Sequence, residues 1–134
     1  MSGSGDASGS ADRGIAATGS YLPHFRLDAE AVREAWGSSP GVASARVPAA
    51  DEDALTMAVA AAEDALADAA DVGIHAGDLA YLGIATSTPP VEEGAIASRA
   101  VRALGLAESA RTEAATQDTA TGADVLAAAA AADG

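Results

Sequence analysis

The sequence predicts an α/β protein with a small, mostly parallel sheet, flanking helices and a disordered N-terminal tail. Three observations lead there. Short apolar runs alternate with helix-period segments along the chain, the order that builds parallel sheets. The longest apolar run, Leu79 to Thr86 (LAYLGIAT), lies between Asp78 and Pro89-Pro90, which suits a central strand covered on both faces. The clearest helical segment places Leu55, Val59, Ala62, Leu66 and Ala69 on one face.

The elements follow in order. Residues 1–13, MSGSGDASGSADR, hold too few apolar side chains to offset their ordering entropy and read as a disordered tail. They contain no apolar stretch of the kind a secretory signal needs. Residues 14–134 then suffice for one small domain. Gly14 to Tyr21 reads as a short buried strand ending in a turn at Leu22-Pro23. Asp28 is placed to cap a helix over Ala29 to Trp36, closed by Gly37 and Pro40, with Trp36 and Phe25 as its core anchors. Gly41 to Val47 reads as irregular or weakly extended.

Asp51, Glu52 and Asp53 open the long helix, where its dipole favours negative charge, and Gly73 lies past its end. After the Leu79–Thr86 strand, Glu92 and Glu93 start a helix whose Ile96, Ala100, Val101 and Leu104 face inward and whose C-terminal glycine is Gly105. Arg111 to Gln117 is the third strand. Thr119 or Thr121 opens an alanine-rich helix to about Ala132. From Val125 onward that helix is apolar or small on every side, a pattern that calls for cover all round.

Net charge is −13, and all seven basic residues are arginine. Such a chain repels nucleic acid and anionic membranes, so neither is an expected partner. High salt screens its self-repulsion, and the composition reads as that of an extreme halophile's cytoplasmic protein. No stretch suits a membrane span. With no cysteine there is no disulfide and no thiolate metal site. His24 and His75 are isolated in loops, and Asp51-Glu52-Asp53 lacks the spaced oxygens of a calcium loop, so no metal is expected. Gly14 and Gly19 form no dinucleotide fingerprint, and no P-loop is present.

Three stretches carry a family resemblance. Gly19-Ser20-Tyr21-Leu22-Pro23 with Arg26 is similar to a G-x-Y-x-P-x-x-R opening. Val47-Pro48-Ala49-Ala50-Asp51-Glu52-Asp53-Ala54-Leu55-Thr56-Met57-Ala58 is similar to a V-P-x-x-D-E-D-x-x-T-M-A helix entry. Leu79 to Thr86 precedes a proline-rich turn and a helix. Together they resemble the thiolase-like superfamily, and most of all the N-terminal part of archaeal hydroxymethylglutaryl-CoA synthases and ketoacyl synthase III proteins. The resemblance covers roughly residues 14–126 and implies a partial thiolase-like fold.

Members of that family condense acetyl-CoA with acetoacetyl-CoA through a cysteine at a helix N-terminus, with a glutamate as general acid/base. The resemblance places the cysteine at Thr119, when C-x-A-G is laid on Thr119-Ala120-Thr121-Gly122. A register anchored on Glu113 places it at Thr116 instead. The glutamate falls at Ser87. The family's histidine would come from sequence past residue 134. A coenzyme A thioester would be the substrate, with no bound cofactor.

Each candidate has a plainer reading. Thr119 reads as a helix cap, Ser87 as a turn residue, Glu92 and Glu93 as first-turn acids, and Arg26 as a surface arginine rather than a coenzyme A contact. The expected function is an acyl-CoA condensing protein of this type, N-terminal portion only and inactive alone. The alternatives are a non-catalytic structural subunit or a truncated, non-functional fragment. As partners the resemblance implies a homo-oligomer, or a thiolase or OB-fold companion subunit.

Overall fold

The computed structural model describes residues 14–38, 41–90, 95–116 and 120–132. The expected tail 1–13 and residues Pro40, Glu92, Glu93, Gln117 and Thr119 lie outside the described residues. The order of elements is β1 (Phe25–Asp28), α1 (Ala29–Trp36), β2 (Ser44–Val47), α2 (Ala54–Ala70), β3 (Tyr81–Ala85), α3 (Ile96–Leu104), β4 (Arg111–Ala115) and α4 (Thr121–Ala131). The α/β class is as the sequence predicts. The strands, however, divide into two pairs.

The second pair positions the candidate site. β3 and β4 are parallel, in a register that sets Tyr81 opposite Arg111 and Ala85 opposite Ala115. Parallel neighbours need a crossover, and α3 supplies it. Side chains alternate across the sheet. On one face, Ile84 joins Leu55 of α2 with Ile96, Ala97 and Ala100 of α3 in the main apolar cluster, and Val59 and Leu82 pack against it. On the other face, α4 lies so close that a Cβ on Gly83 would strike Val125. Gly83 is therefore the residue that lets the helix approach the strand. β3 and β4 thus lie between α2 and α3 on one side and α4 on the other.

Helix boundaries follow local chemistry. Asp53 caps α2: its Oδ1 accepts the Thr56 N–H at 2.7 Å, and the Thr56 hydroxyl accepts the Asp53 N–H at 2.8 Å. Gly37 and Gly105 end α1 and α3 in the left-handed conformation that side-chain-bearing residues avoid. Asp28 stands at the start of α1 but makes no capping bond, because its carboxylate takes the Arg26 Nε–H at 3.1 Å instead.

The first pair departs from expectation. β1 and β2 are antiparallel, with Phe25 opposite Val47 and Leu27 opposite Ala45. The segment Gly41 to Val47 therefore ends in a regular strand. Gly14 to Tyr21 is not a strand: none of the described strands pairs with it, and Ile15 is 77% exposed. Phe25 and Trp36 are not core anchors. They are 55% and 72% exposed, and α1 buries no residue at all. Nothing among the described residues covers this pair of strands as α2, α3 and α4 cover the other.

Candidate functional site

In sheets built from parallel strands, chemistry gathers at the C-terminal ends of the strands. Here that edge is reached by β3 through Thr86, Ser87 and Thr88, and by β4 through Thr116. The ladder closes on the Thr86 N–H, which donates to the Ala115 carbonyl at 3.0 Å. The Thr86 hydroxyl then accepts the Thr88 N–H at 3.1 Å and shapes the turn. Ser87 and Thr116 are both exposed at this edge. The fold thus brings the expected glutamate position and one register of the expected cysteine position to the same edge. The other register, Thr119, is outside the described residues. α4 begins just beyond, at Thr121, with Ala120 in the cap position and no side-chain cap.

Among the described residues, the groups present at this edge are alcohols. A serine or threonine hydroxyl is a weak nucleophile unless a base takes its proton. His75 sits in the turn before β3, at the opposite end of the strand, and His24 adjoins β1. Glu113, in the middle of β4, is engaged by the Tyr81 hydroxyl at 2.9 Å, and the Arg111 guanidinium lies over the Tyr81 ring. Burial raises the Tyr81 phenol above its ordinary value, and its bond to Glu113 raises it further, so it keeps its proton at neutral pH. No cluster of His, Cys, Asp and Glu fit to hold a metal occurs among the described residues.

A shallow depression of about 180 Å³ opens between α2, β3 and α3. Ala58, Val59, Leu82, Ile84, Ala100 and Leu104 line it. It offers apolar surface and no reactive group.

The two N-terminal motif stretches serve packing. Gly19 lies against the backbone of Ala61 and Ala65 in α2, where a Cβ would collide with it. The Ser20 N–H donates to Asp64 at 3.0 Å, and the Tyr21 hydroxyl donates to Glu52. Glu52 also accepts the Ala49 N–H at 2.6 Å. The G-S-Y and D-E-D segments are thus bonded to each other. The Tyr21 bond, with Ala49 adding to it, holds the Glu52 carboxyl below its usual value, and the same bond raises the Tyr21 phenol. The Thr56 N–H likewise lowers Asp53. Of the three acids read as dipole partners of α2, then, Asp53 caps the helix and Glu52 fastens the N-terminal segment. Arg26 is a surface arginine paired with Asp28.

No protein-family model matches the chain. Over 100 residues it is 33% identical to the hydroxymethylglutaryl-CoA synthase of Archaeoglobus fulgidus, a match over 69% of this chain and 28% of that one. Over 103 residues it is 35% identical to the hydroxymethylglutaryl-CoA synthase of Pyrobaculum aerophilum, covering 72% and 29%. Among solved structures, a variant of Xanthomonas campestris OleA superposes with a TM-score of 0.76 at 20% identity, over 87% of this chain and 38% of that one. The 3-oxoacyl-(acyl carrier protein) synthase III of Xanthomonas oryzae gives 0.68 at 21% identity, over 85% and 38%. The fold is thiolase-like.

The chain spans less than a third of the length of these two curated relatives. Within this thiolase-like fold, the stretches that carried the sequence resemblance have separate tasks. Gly19 to Tyr21 and Asp51 to Asp53 lock the N-terminal segment to α2, and Leu79 to Thr86 delivers Ser87 to the strand edge. Sequence reasoning missed the Tyr21–Glu52 link. The available signal was the glutamate one residue before a helix cap, where an acid is too far out to serve the dipole fully.

Proposed function

We propose that this is a thiolase-like chain of the acyl-CoA condensing, hydroxymethylglutaryl-CoA synthase type that does not itself perform the condensation. One observation carries the reading. Among the described residues, the strand edge that carries Ser87 and Thr116 presents alcohols, in a chain that has no thiol anywhere. Acyl transfer from a thioester needs a nucleophile of thiolate strength or an alcohol with a base beside it. Condensation needs in addition an acid/base group within hydrogen-bond reach of the reacting carbons. Ser87 supplies neither.

In this reading residues 14–134 correspond to the N-terminal portion of a thiolase-like domain behind the 1–13 tail. A coenzyme A thioester is the ligand class inherited with the fold, with no resident cofactor or metal. The acidic, lysine-free composition supports a cytoplasmic protein of a high-salt cell. The test is release of free coenzyme A from acetyl-CoA with acetoacetyl-CoA, measured in multimolar KCl. The expected rate equals that of the protein-free blank. A rate that scales with protein and disappears in Ser87→Ala would sink the reading.

A second reading, a structural subunit that works in an assembly, is favoured by α4. That helix is apolar almost throughout, yet Leu126 is 63% exposed. Co-purification with a thiolase or OB-fold companion, lost on Leu126→Asp, would support it.

A further inference from the structure

α3 and β4 border a second depression, of about 360 Å³. Val101 and Ala110 form its apolar part, and Ser98, Arg102, Glu108 and Thr112 complete the lining. Ser98 and Arg102 stand four positions apart on α3 and so share a face. Thr112 is paired in register with Leu82, which packs toward α2 and α3, so strand alternation turns its hydroxyl to the same side. Glu108 lies in the short connection between α3 and β4.

The polar side chains of this lining have no partners among the described residues. The other described arginines are engaged: Arg26 by Asp28, Arg33 by Glu30, Arg46 by the carbonyls of Pro23 and His24, Arg111 by the Tyr81 ring, and Arg99 through its field on Asp53. Arg102 differs, in a chain with 20 acids against 7 basic residues. Glu108 lines the same depression and does not close on it. A cation and an anion therefore face one space, with two hydroxyls beside them.

We propose that this depression binds a small zwitterion of the α-amino-acid class, with its carboxylate on Arg102 and its ammonium group on Glu108. The planar guanidinium matches a carboxylate through two parallel hydrogen bonds, and the Ser98 and Thr112 hydroxyls are further donors to it. Charge favours this class over simple ions. An anion approaches a chain of net charge −13 against repulsion, and a cation is drawn to acidic surface everywhere. A molecule with no net charge meets neither effect, and only a paired site recognises both of its ends. Val101 and Ala110 leave apolar contact for a short aliphatic side chain.

The site is independent of whether acyl chemistry survives. The experiment is a titration of the full chain in 2 M KCl, followed by the amide NMR shifts of Ser98, Arg102, Glu108 and Thr112. The probes are L-alanine, propionate, which lacks the ammonium group, and ethylamine, which lacks the carboxylate. The expected result is saturation by L-alanine in the millimolar range, with propionate and ethylamine weaker by about tenfold or more. Arg102→Gln should weaken L-alanine by a similar factor. Glu108→Gln should weaken L-alanine and leave propionate no weaker, a split that simple structural damage would not produce. Both side chains are exposed, and circular dichroism checks that the variants keep their helices. Absence of saturation up to about 100 mM L-alanine would overturn the proposal. Propionate binding as tightly as L-alanine would overturn it as well, and would leave a plain anion site.

Discussion

The β1–α1–β2 segment and the β3–α3–β4 unit are built from similar parts, yet they hold together differently. In the β3–α3–β4 unit β3 is covered on both faces, while β4 stays exposed at four of its five residues. Ile84 meets α2 and α3, and Gly83 admits Val125 of α4. Every residue of the main apolar cluster belongs to α2, β3 or α3. In the β1–α1–β2 segment no residue of α1 is buried, and the apolar face of the sheet is open. Local propensity and capping were enough to form both. Burial separates them, because most helix and strand stability comes from packing rather than from propensity. One unit shares a core with α2 and α4, and the other leaves its apolar face open.

Truncations should sharpen this contrast. The largest effect is expected at Ile84. Ile84→Ala should destabilise the chain by about 2–4 kcal/mol, measured by urea unfolding in high salt, through lost transfer energy and the cavity left among Leu55, Ile96 and Ala100. Gly83→Val should act in the same range by forcing α4 off the strand, and loss of α4 helicity would report it. Trp36→Ala, which removes a far larger side chain, should cost no more than about 0.5 kcal/mol in the monomer. If Trp36→Ala proved as damaging as Ile84→Ala, the two regions would not differ as described.

The caps give intermediate effects. Asp53→Ala should cost about 1 kcal/mol, by removing the bond to the Thr56 N–H. Asp53 and Glu52 also set an acid limit. Both carboxyls titrate below their ordinary values when folded, so their contribution is complete above the usual carboxylate range and fades as pH falls through the lowered values. Stability should therefore decline below about pH 4. Glu52→Gln should flatten that decline. The smallest effect belongs to Tyr21→Phe, whose exposed bond to Glu52 should alter global stability little while raising proteolysis of the 14–23 segment.

The sequence revealed most where the controlling physics was local. α2 was legible from its Asp53 cap and apolar stripe, and α1 and α3 from the glycines that end them. β3 was legible from its apolar run, and with β4 it placed Ser87 and Thr116 at one edge. The failures were non-local. Gly14 to Tyr21 looks like a strand by composition, but a strand needs a partner, and its glycine serves instead to let the backbone press against Ala61 and Ala65. β1 carries a charged, alternating sequence, and its pairing with β2 depends on residues about twenty positions away. Phe25 and Trp36 were read as buried because aromatic side chains usually are, and no single-chain pattern reveals a face left open. Glu52 was read through the helix dipole, when its partners were the Tyr21 hydroxyl and the Ala49 N–H.

The proposal that this chain does not perform acyl transfer is tested most directly by intact-mass spectrometry after incubation with isotopically labelled acetyl-CoA. The account predicts an unshifted mass, because the described residues of the strand edge, Ser87, Thr116 and their neighbours, include neither a thiol nor a base. A covalent acetyl adduct mapped to Thr116 or Thr119 would contradict it.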